Sequence, residues 1–229
     1  MSKQVVRART RGRRAANASG GTAQRRRLSA AARRELIERA ATQVFAEHGY
    51  AGAAIDEIAR RAEVSPPVVY DHFASKLDLF TRLLERTREE LLAMWVQTLT
   101  GNDPTDVRMR RAFTAWATYV EQNRFASRMY FQEATGDPQA RSAHRAIQAQ
   151  GRAALAAILG NEPGAEQIAG GDAEGLEMAA ETMRAGLAGL AIWWDDHPQM
   201  PRERIVETAM HVLWSGFERL HERESAANG

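Results

Sequence analysis

The sequence predicts an all-α protein with a small N-terminal helical unit and a larger helical body. Apolar residues recur at spacings of three and four along most of the chain, which is the pattern of helices that bury one face. No segment shows a convincing alternation of apolar and polar residues, as a half-buried strand would. The 229 residues are 44% hydrophobic, enough to bury a core, and fit one large or two small domains of about 100–200 residues each.

Three short helices are predicted between residues 30 and 74. Helix 1 ends at Gly49, helix 2 ends near Val64, and helix 3 begins at Ser65, whose side chain is expected to cap it ahead of two prolines. A tight turn between the second and third helices is typical of a helix-turn-helix, in which the third helix enters the major groove of DNA. The apolar stripes behind these predictions are Ile37, Ala40, Ala41, Val44 and Phe45, then Ile55, Ile58, Ala59 and Ala62, then Val69 and Phe73.

The rest of the chain is predicted to form longer helices. Ser75 and Asp78 have the spacing of a capping box and start a fourth helix with an apolar face. Further helices are predicted at 105–121, 124–134, 138–159, 172–196 and 202–223, with a polar, glycine-rich break at 160–171. We therefore expect a basic arm at residues 1–27, a helix-turn-helix domain at 28–76 and a helical body at 77–229.

Charge is divided unevenly along the chain. The 31 Lys and Arg and 29 Asp and Glu leave a formal net charge of +2. No acid precedes Glu35, and residues 1–34 carry +11, which leaves −9 for the remainder. Such asymmetry often accompanies polyanion binding. Since residues 1–27 have almost nothing large to bury, we expect this arm to be disordered until a partner neutralises it.

Four strings in the N-terminal third agree in register with one known family. They are FAEHGY at 45–50, IARRAEVS at 58–65, VYDHF at 69–73 and KLDLF at 76–80. Together they resemble the N-terminal domain of the TetR family of bacterial transcriptional regulators, over about residues 33–80. The resemblance implies an all-helical homodimer whose C-terminal domain binds a small-molecule effector and dimerises. It also implies a repressor that leaves its double-stranded operator DNA when the effector binds.

The resemblance further implies which side chains contact DNA. Its phosphate contacts fall on Tyr70, His72 and Lys76, all of which can donate to phosphate oxygens. Valine can meet a thymine methyl and aspartate can accept from a cytosine amine. The positions that read bases are Ser65, Pro66, Pro67, Val68 and Asp71. The family often has hydroxyl residues where this chain has Ala53 and Ala54, and a glycine where it has Pro67.

Arg25, Arg26 and Arg27 lie immediately before helix 1. One interpretation is that they reach phosphates or an adjacent minor groove. The alternative is a solvated, non-specific charge run, and in that case the protein would bind nucleic acid without sequence preference.

Large apolar side chains in the body predict an effector pocket. Such pockets are mostly apolar with a few placed polar groups, which Arg108, Arg128, Glu133 and Arg184 could supply. The alternative is that the large side chains form plain core. The candidates are Trp95, Met109, Phe113, Trp116, Tyr119, Met129, Tyr130 and Met183, with Phe131 beside them.

The last two predicted helices, 172–196 and 202–223, combine small residues with large apolar ones. The segments WWDDHP at 193–198 and LWSGF at 213–217 resemble the terminal helix pair of a TetR subgroup. In that subgroup two helices from each subunit form the dimer interface. The alternative is that these stripes bury only the core of the monomer.

Several other kinds of site are excluded. The chain has no cysteine, and none of its six histidines has another three to five residues away, so we predict no metal site. It contains no phosphate-binding loop, dinucleotide fingerprint or serine nucleophile motif, so we predict no cofactor and no enzyme. The cluster Asp195-Asp196-His197 is interpreted as a helix end. No apolar run approaches the ~18 residues of a membrane span, and the sequence predicts a cytoplasmic protein.

Overall fold

The computed structural model describes residues 29–161 and 172–214. Within these ranges the chain forms helices joined by short connections and contains no strand, so the predicted all-α class is confirmed. The predicted arm at 1–27, with Arg25, Arg26 and Arg27, and the end of the last predicted helix at 215–223 lie outside the described residues. The helices are α1 Ala30–Gly52, α2 Ile55–Arg61, α3 Pro66–His72, α4 Lys76–Leu99, α5 Thr105–Gln122, α6 Arg124–Phe131, α7 Pro138–Gly160, α8 Ala173–Asp196 and α9 Arg202–Ala209, which continues as a π-helical turn at Met210–Trp214.

Side-chain caps begin most of the long helices. Ser75 Oγ accepts from Asp78 N at 3.0 Å, as predicted, while the Asp78 carboxylate accepts from Ala74 N at 3.0 Å. The expected cap at Ser65 is wrong, since its side chain makes no capping hydrogen bond to the described residues. The two prolines that follow have no N–H to donate, and Val68 N donates to the Ser65 carbonyl oxygen at 3.0 Å instead.

The turn between α2 and α3 is a Schellman motif. Glu63 N donates to the Arg60 carbonyl at 3.2 Å, and Val64 N donates to the Ala59 carbonyl at 2.9 Å. This geometry places the residue after the helix in the left-handed region, and Glu63 has a φ of 55°. The predicted tight turn is therefore present, with a glutamate where glycine is the less strained residue.

Two helix ends show how turns shape the fold. Gly49 has a φ of 68° and interrupts α1 at the predicted stop, after which one more turn leads into α2. Helix α6 ends at Phe131 and not at 134 as predicted, because the backbone turns extended at Gln132. The following connection runs against α1, where Gly136 has a φ of 83° and a Cβ on it would lie 2.8 Å from Ala51 Cβ.

A continuous hydrophobic core extends from α1 to the end of the described chain. Helix α4 packs on α5 and α7, and α7 packs on α8. The short α6 touches α1, α4 and α8, so it lies between the helix-turn-helix and the body. No helix in the described ranges is both long enough and apolar enough to cross a membrane.

Candidate nucleic-acid interface and internal cavity

Helix α3 turns one face to the core and another to solvent. Val69 and Phe73 are 1% and 2% exposed and belong to the core. Pro67, Tyr70 and Asp71, at spacings of three and four, are exposed, and Tyr70 leaves 53% of its surface in solvent. An outward aromatic ring beside polar neighbours gives this face the form of a contact surface.

The other predicted contacts of α3 flank that face. Ser65 is exposed, while Pro66, Val68 and His72 are partly buried, and Val68 packs against the edge of the core. Because the two prolines lack an N–H and Val68 N is already bonded, the first turn of α3 has no backbone donor left for a phosphate. Contacts with DNA from these residues therefore have to come from side chains.

Lys76 has a structural role that the sequence did not predict. Its Nζ donates to the carbonyl oxygens of Tyr50 at 2.9 Å and Ala53 at 3.0 Å, and lies 4.4 Å from the centre of the Tyr50 ring. An ammonium has three N–H donors, so one remains for a phosphate. Lys76 thus ties the start of α4 to the end of α1, and this contact fixes the residues around α3.

An ion cluster braces α2 against α1. Arg61 donates to Glu47 at 2.6 Å and to Glu57 at 2.6 Å, and His48 Nε2 lies 3.7 Å from both carboxylates. Hydrogen bonds from Arg61 hold the pKa of Glu47 and Glu57 below the ordinary value for glutamate. The cluster uses the charge of Arg61 internally, so this arginine is not a free cation for DNA.

The helix-turn-helix has little net charge of its own. Residues 29–76 contain six Lys and Arg and seven Asp and Glu, a net charge of −1. Residues 1–28 contain nine Lys and Arg and no acid. Since the phosphate backbone dominates affinity for DNA, attraction of this unit to DNA needs charge from the arm.

The body contains a cavity of about 50 Å³ among α4, α5, α6, α7 and α8. Of the predicted pocket residues, Trp95, Trp116 and Tyr130 line it, and Phe131 is beside them. The other apolar lining residues are Leu91, Leu92, Leu155 and Leu187. The cavity is therefore mostly apolar, as small-molecule sites usually are.

The polar groups around this cavity are clustered. Arg88, Arg184 and Tyr130 line it, and a Cβ at Gly151 would lie 3.2 Å from Tyr130 Oη and 3.7 Å from Arg88 Cγ. Burial raises the pKa of Tyr130 to about 12, against the opposing effect of the two arginines, so its hydroxyl stays protonated at neutral pH. Arg184 donates to both oxygens of Glu181, at 2.8 and 2.6 Å.

Side chains of α7 cap the C-terminal end of α6. His144 Nε2 donates to the Tyr130 carbonyl oxygen at 2.9 Å, and Gln148 Nε2 donates to the same oxygen at 2.7 Å. Gln148 Oε1 accepts from Arg184 at 3.2 Å, which links this carbonyl to a side chain that lines the cavity. Burial lowers the pKa of His144, so the neutral ring is favoured.

The last helices expose an unusual amount of apolar surface. Met178, Ile192 and Trp193 on α8 and Val212 in the π-helical turn are all at least 40% exposed. Leu213 packs against Gly186 so closely that a Cβ there would lie 2.7 Å from Leu213 Cδ2. At Gly189 a Cβ would meet no described atom within 4 Å.

Comparison with known proteins identifies the architecture. Residues 37–83 match the family described as "Bacterial regulatory proteins, tetR family". The transcriptional activator FasR of Mycolicibacterium smegmatis is 29% identical over 205 residues, covering 87% of this chain and 89% of FasR. The N-terminal unit of this chain therefore matches the TetR family, and FasR, a transcriptional activator, is similar along most of the chain. These findings support a DNA-binding transcriptional regulator, and the relatives and the fold are not those of enzymes.

Two further proteins are similar to parts of this chain or to its fold. The transcriptional repressor BepR of Brucella suis is 42% identical over 64 residues, 28% of this chain and 31% of BepR. The solved structure of the fatty acid degradation regulator FadR from Bacillus halodurans has a TM-score of 0.65 at 17% identity, covering 78% of this chain and 96% of FadR. The latter shows that the fold is shared.

The remaining predicted pocket residues do not line the cavity. Tyr119 donates to Glu90 Oε2 at 2.7 Å, and burial raises its pKa. Of the predicted polar groups, only Arg184 lines the cavity. Arg108 donates to the Gly101 carbonyl, Arg128 pairs with Asp195 and Glu133 pairs with Arg145. Met109, Phe113, Met129 and Met183 are buried in the core.

Sequence reasoning missed three polar residues: Arg88, which lines the cavity, and His144 and Gln148, which bond to the Tyr130 carbonyl at the end of α6. Each follows a helical spacing in which nothing distinguishes it from a surface residue. The one available signal was Gly151, a glycine within a long predicted helix, which marks a close approach by another side chain.

Proposed function

We propose that this regulator acts as a homodimer that binds an operator through α3 of each copy and leaves it when a small molecule occupies the cavity. Residues 28–76 form the DNA-binding domain in this proposal, and residues 77–229 form the domain that binds effector and dimerises. The observation that carries the proposal is the position of α6, which touches α1 on one side and lines the cavity on the other.

At the DNA, α3 is proposed to lie in the major groove with its exposed face toward the bases. Tyr70, His72 and the free N–H of Lys76 donate to phosphates, and Asp71 and Val68 read base edges. Arg25, Arg26 and Arg27 supply charge that residues 29–76 lack. The same residues support a sequence-specific function over general nucleic-acid binding, because α3 presents side chains and not merely charge.

The dimer is proposed to form through α8 and the helix that follows it. Its exposed face carries Met178, Ile192 and Trp193, and Gly189 leaves room for a second helix to approach. Apolar patches of this kind mark interaction sites. A two-fold axis through that face would give two α3 helices, which suits an operator with two half-sites.

Release of the operator is proposed to pass through α6. Tyr130 and Phe131 line the cavity, while Met129 and Gln132 line the groove against Gly49 and its neighbours in α1. An effector that binds better to a conformation with displaced α3 helices lowers operator affinity by that difference in affinity. An effector with an acyl chain suits the apolar lining, and the fold shared with the fatty acid degradation regulator FadR supports that class.

The effect on transcription follows from where the operator lies. If the operator overlaps a promoter, binding excludes polymerase, and we propose repression relieved by effector. The activator FasR and the repressor BepR illustrate both outcomes among relatives.

Competition between DNA duplexes tests this function. Fluorescence anisotropy would measure binding to the DNA upstream of the protein's own gene, with random duplex as competitor. We expect the upstream DNA to compete at least tenfold better. Equal competition would overturn the operator-specific proposal in favour of binding driven by the arm.

Tyr70→Phe is expected to weaken DNA binding several-fold by removing a phosphate contact. Tyr119→Phe removes a hydroxyl from the body and serves as the matched control, with unchanged DNA binding.

A further inference from the structure

The side chains around the cavity have a common hydrogen-bonding character. In the described part of the chain they include two guanidinium groups, a phenol and indole N–H groups, and none of them carries a carboxylate or carbonyl. A ligand that satisfies these donors must itself supply acceptors. Two guanidinium groups also repel a cationic head group, so this lining favours an anionic or neutral acceptor over a cation.

Trp116 adds a donor that is already buried. It is 1% exposed, and its Nε1 has no hydrogen-bond partner among the described residues. A buried polar group without a hydrogen-bond partner destabilises the folded protein. Because Trp116 lines the cavity, an acceptor atom on a bound ligand could take a hydrogen bond from this N–H.

Arg88 carries a charge that its neighbours compensate poorly. Only 17% of its side chain is exposed, yet it donates to the neutral amide of Gln150 and has a carboxylate, that of Glu89, only at 3.5 Å. The Glu89 carboxylate is itself 69% exposed, so solvent screens it. Arg184, in contrast, is paired with Glu181. The cavity thus has an excess of positive charge at its polar end.

We propose that the cavity binds an amphiphile with an apolar chain and a carboxylate head, and that Arg88 and Arg184 hold the head. This inference rests on the function proposed above, because it gives the chemistry of the effector for the same cavity. Leu91, Leu155 and Leu187 contact the chain, while Tyr130 and Trp116 donate to acceptors near the head. Arginine suits this role, because its planar fork matches the two oxygens of a carboxylate.

Binding of this ligand requires the body to open. The cavity holds about 50 Å³, whereas pockets for small molecules are usually about 300–1,000 Å³. A chain of several methylenes therefore enters only when the surrounding helices separate. The liganded conformation then differs from the closed one, which is the condition for an effect on operator affinity.

The head group also competes with a contact that holds α6. Arg184 reaches Gln148 Oε1 through its longest hydrogen bond, at 3.2 Å, and Gln148 in turn donates to the Tyr130 carbonyl. A carboxylate that pairs with Arg184 draws it from Gln148 and loosens the C-terminal cap of α6. Gln148 is thus a positioning residue between ligand and helix.

Calorimetry with three ten-carbon probes tests the head-group preference. Decanoate, decanol and decylamine share one apolar chain and differ in charge. We expect decanoate to bind at least tenfold more tightly than decanol, since hydrogen bonds to charged groups are the stronger ones, and decylamine to bind most weakly. Equal affinity for decanoate and decanol, or preference for decylamine, would overturn the proposal.

Variants locate the head group. Arg88→Met and Arg184→Met are each expected to reduce the preference for decanoate over decanol by about tenfold. Arg111→Met removes an exposed arginine paired with Asp103 and serves as the matched control, with an unchanged preference. Trp116→Phe should lower the affinity for decanoate by a few-fold. If both arginine variants keep the full preference, the carboxylate is held elsewhere and the proposal fails. Arg88→Met alone suffices for this test if Arg184→Met does not fold.

Operator binding separates this inference from the proposed function. With Gln148→Met, we expect decanoate to bind within about twofold of the unmodified chain but to change operator affinity much less. An undiminished change would overturn the role of Gln148. If decanoate binds with the expected preference in all chains and never alters operator affinity, the ligand class stands and the proposed release mechanism fails.

Discussion

The helix-turn-helix and the cavity end of the body treat their charged groups in opposite ways. Around α3 two cations bond mainly within the protein, Arg61 to two glutamates and Lys76 to two carbonyl oxygens. At the cavity, Arg88 and Trp116 keep donors that the described protein does not fully satisfy. The first region is internally balanced and presents its contacts outward, while the second is, on the inference above, balanced by a ligand.

This difference implies separate sources of affinity and of regulation. On the function proposed above, a helix-turn-helix with a net charge of −1 gives shape and base contacts but little attraction to DNA. The attraction then comes from residues 1–28, and the body supplies the response to ligand.

Deletion of residues 1–27 is expected to have the largest effect, on affinity for operator DNA. If Arg25, Arg26 and Arg27 each neutralise one phosphate, the slope of log affinity against log salt becomes shallower by about 2.7, at about 0.9 per phosphate. Affinity for the operator at 0.1 M salt falls by roughly two to three orders of magnitude. Anisotropy titrations at several salt concentrations measure both quantities.

Thermal unfolding provides the control for this deletion, since Ser29 and the cap of α1 are retained. An unchanged salt slope would show that the arm does not touch DNA. It would also mean that α3 carries the attraction in spite of its balanced surroundings.

Lys76→Met is expected to have the next largest effect, on stability. It removes two hydrogen bonds from a charged donor, and we expect a loss of about 2 kcal/mol of unfolding free energy. For a chain of this size the melting temperature falls by about 4–8 °C. Only two of the 31 basic residues are lysines, so a lysine at this position is unusual in the chain. A melting temperature within 1 °C of the unmodified chain would contradict its structural role.

The role of Lys76 shows where sequence reasoning stops. Its position in a known string predicts a phosphate contact, and the helix start with its cap at the adjacent Ser75 was predicted correctly. The carbonyls that it contacts lie 23 and 26 residues earlier in the chain. Only folding brings them together, so no local pattern could have indicated this contact.

The same limit applies more strongly to the cavity. Helix positions, buried stripes and the face of α3 follow from local periodicity, and the structure matches them closely. Arg88 and Arg184 stand 96 positions apart, and whether they face one cavity depends on how α4 and α8 pack across α7. Large apolar residues such as Met109 and Phe113 have the same periodicity as Trp95 and Trp116, yet they lie in the core. Periodicity shows that a side chain is buried but not what it is buried against.

Glu63→Gly tests the strained turn beside α3 and should stabilise the protein. Glycine adopts the left-handed conformation at Glu63 without the steric penalty of a side chain. We expect a gain of about 1 kcal/mol, reduced by any contact of the glutamate side chain, and a rise in melting temperature of about 2–4 °C. The substitution also removes a negative charge next to α3, so operator affinity should rise slightly. A lower melting temperature would show that contacts of the glutamate outweigh the strain.

The smallest expected effect is a dependence of stability on pH that comes from His144. Burial lowers its pKa in the folded protein below the value of 6.5 for a free histidine, although Glu133 and the Tyr130 carbonyl act in the opposite direction. The folded state therefore binds this proton less readily than the unfolded state. The stability that neutral His144 contributes is present above pH 6.5 and is lost as pH falls toward the folded pKa.

Melting curves from pH 7.5 to 5.0 measure this dependence. The melting temperature should fall less steeply with pH for His144→Gln, which keeps a donor for the Tyr130 carbonyl but cannot titrate. Identical pH profiles would mean that other groups control acid stability and that the end of α6 is insensitive to protonation.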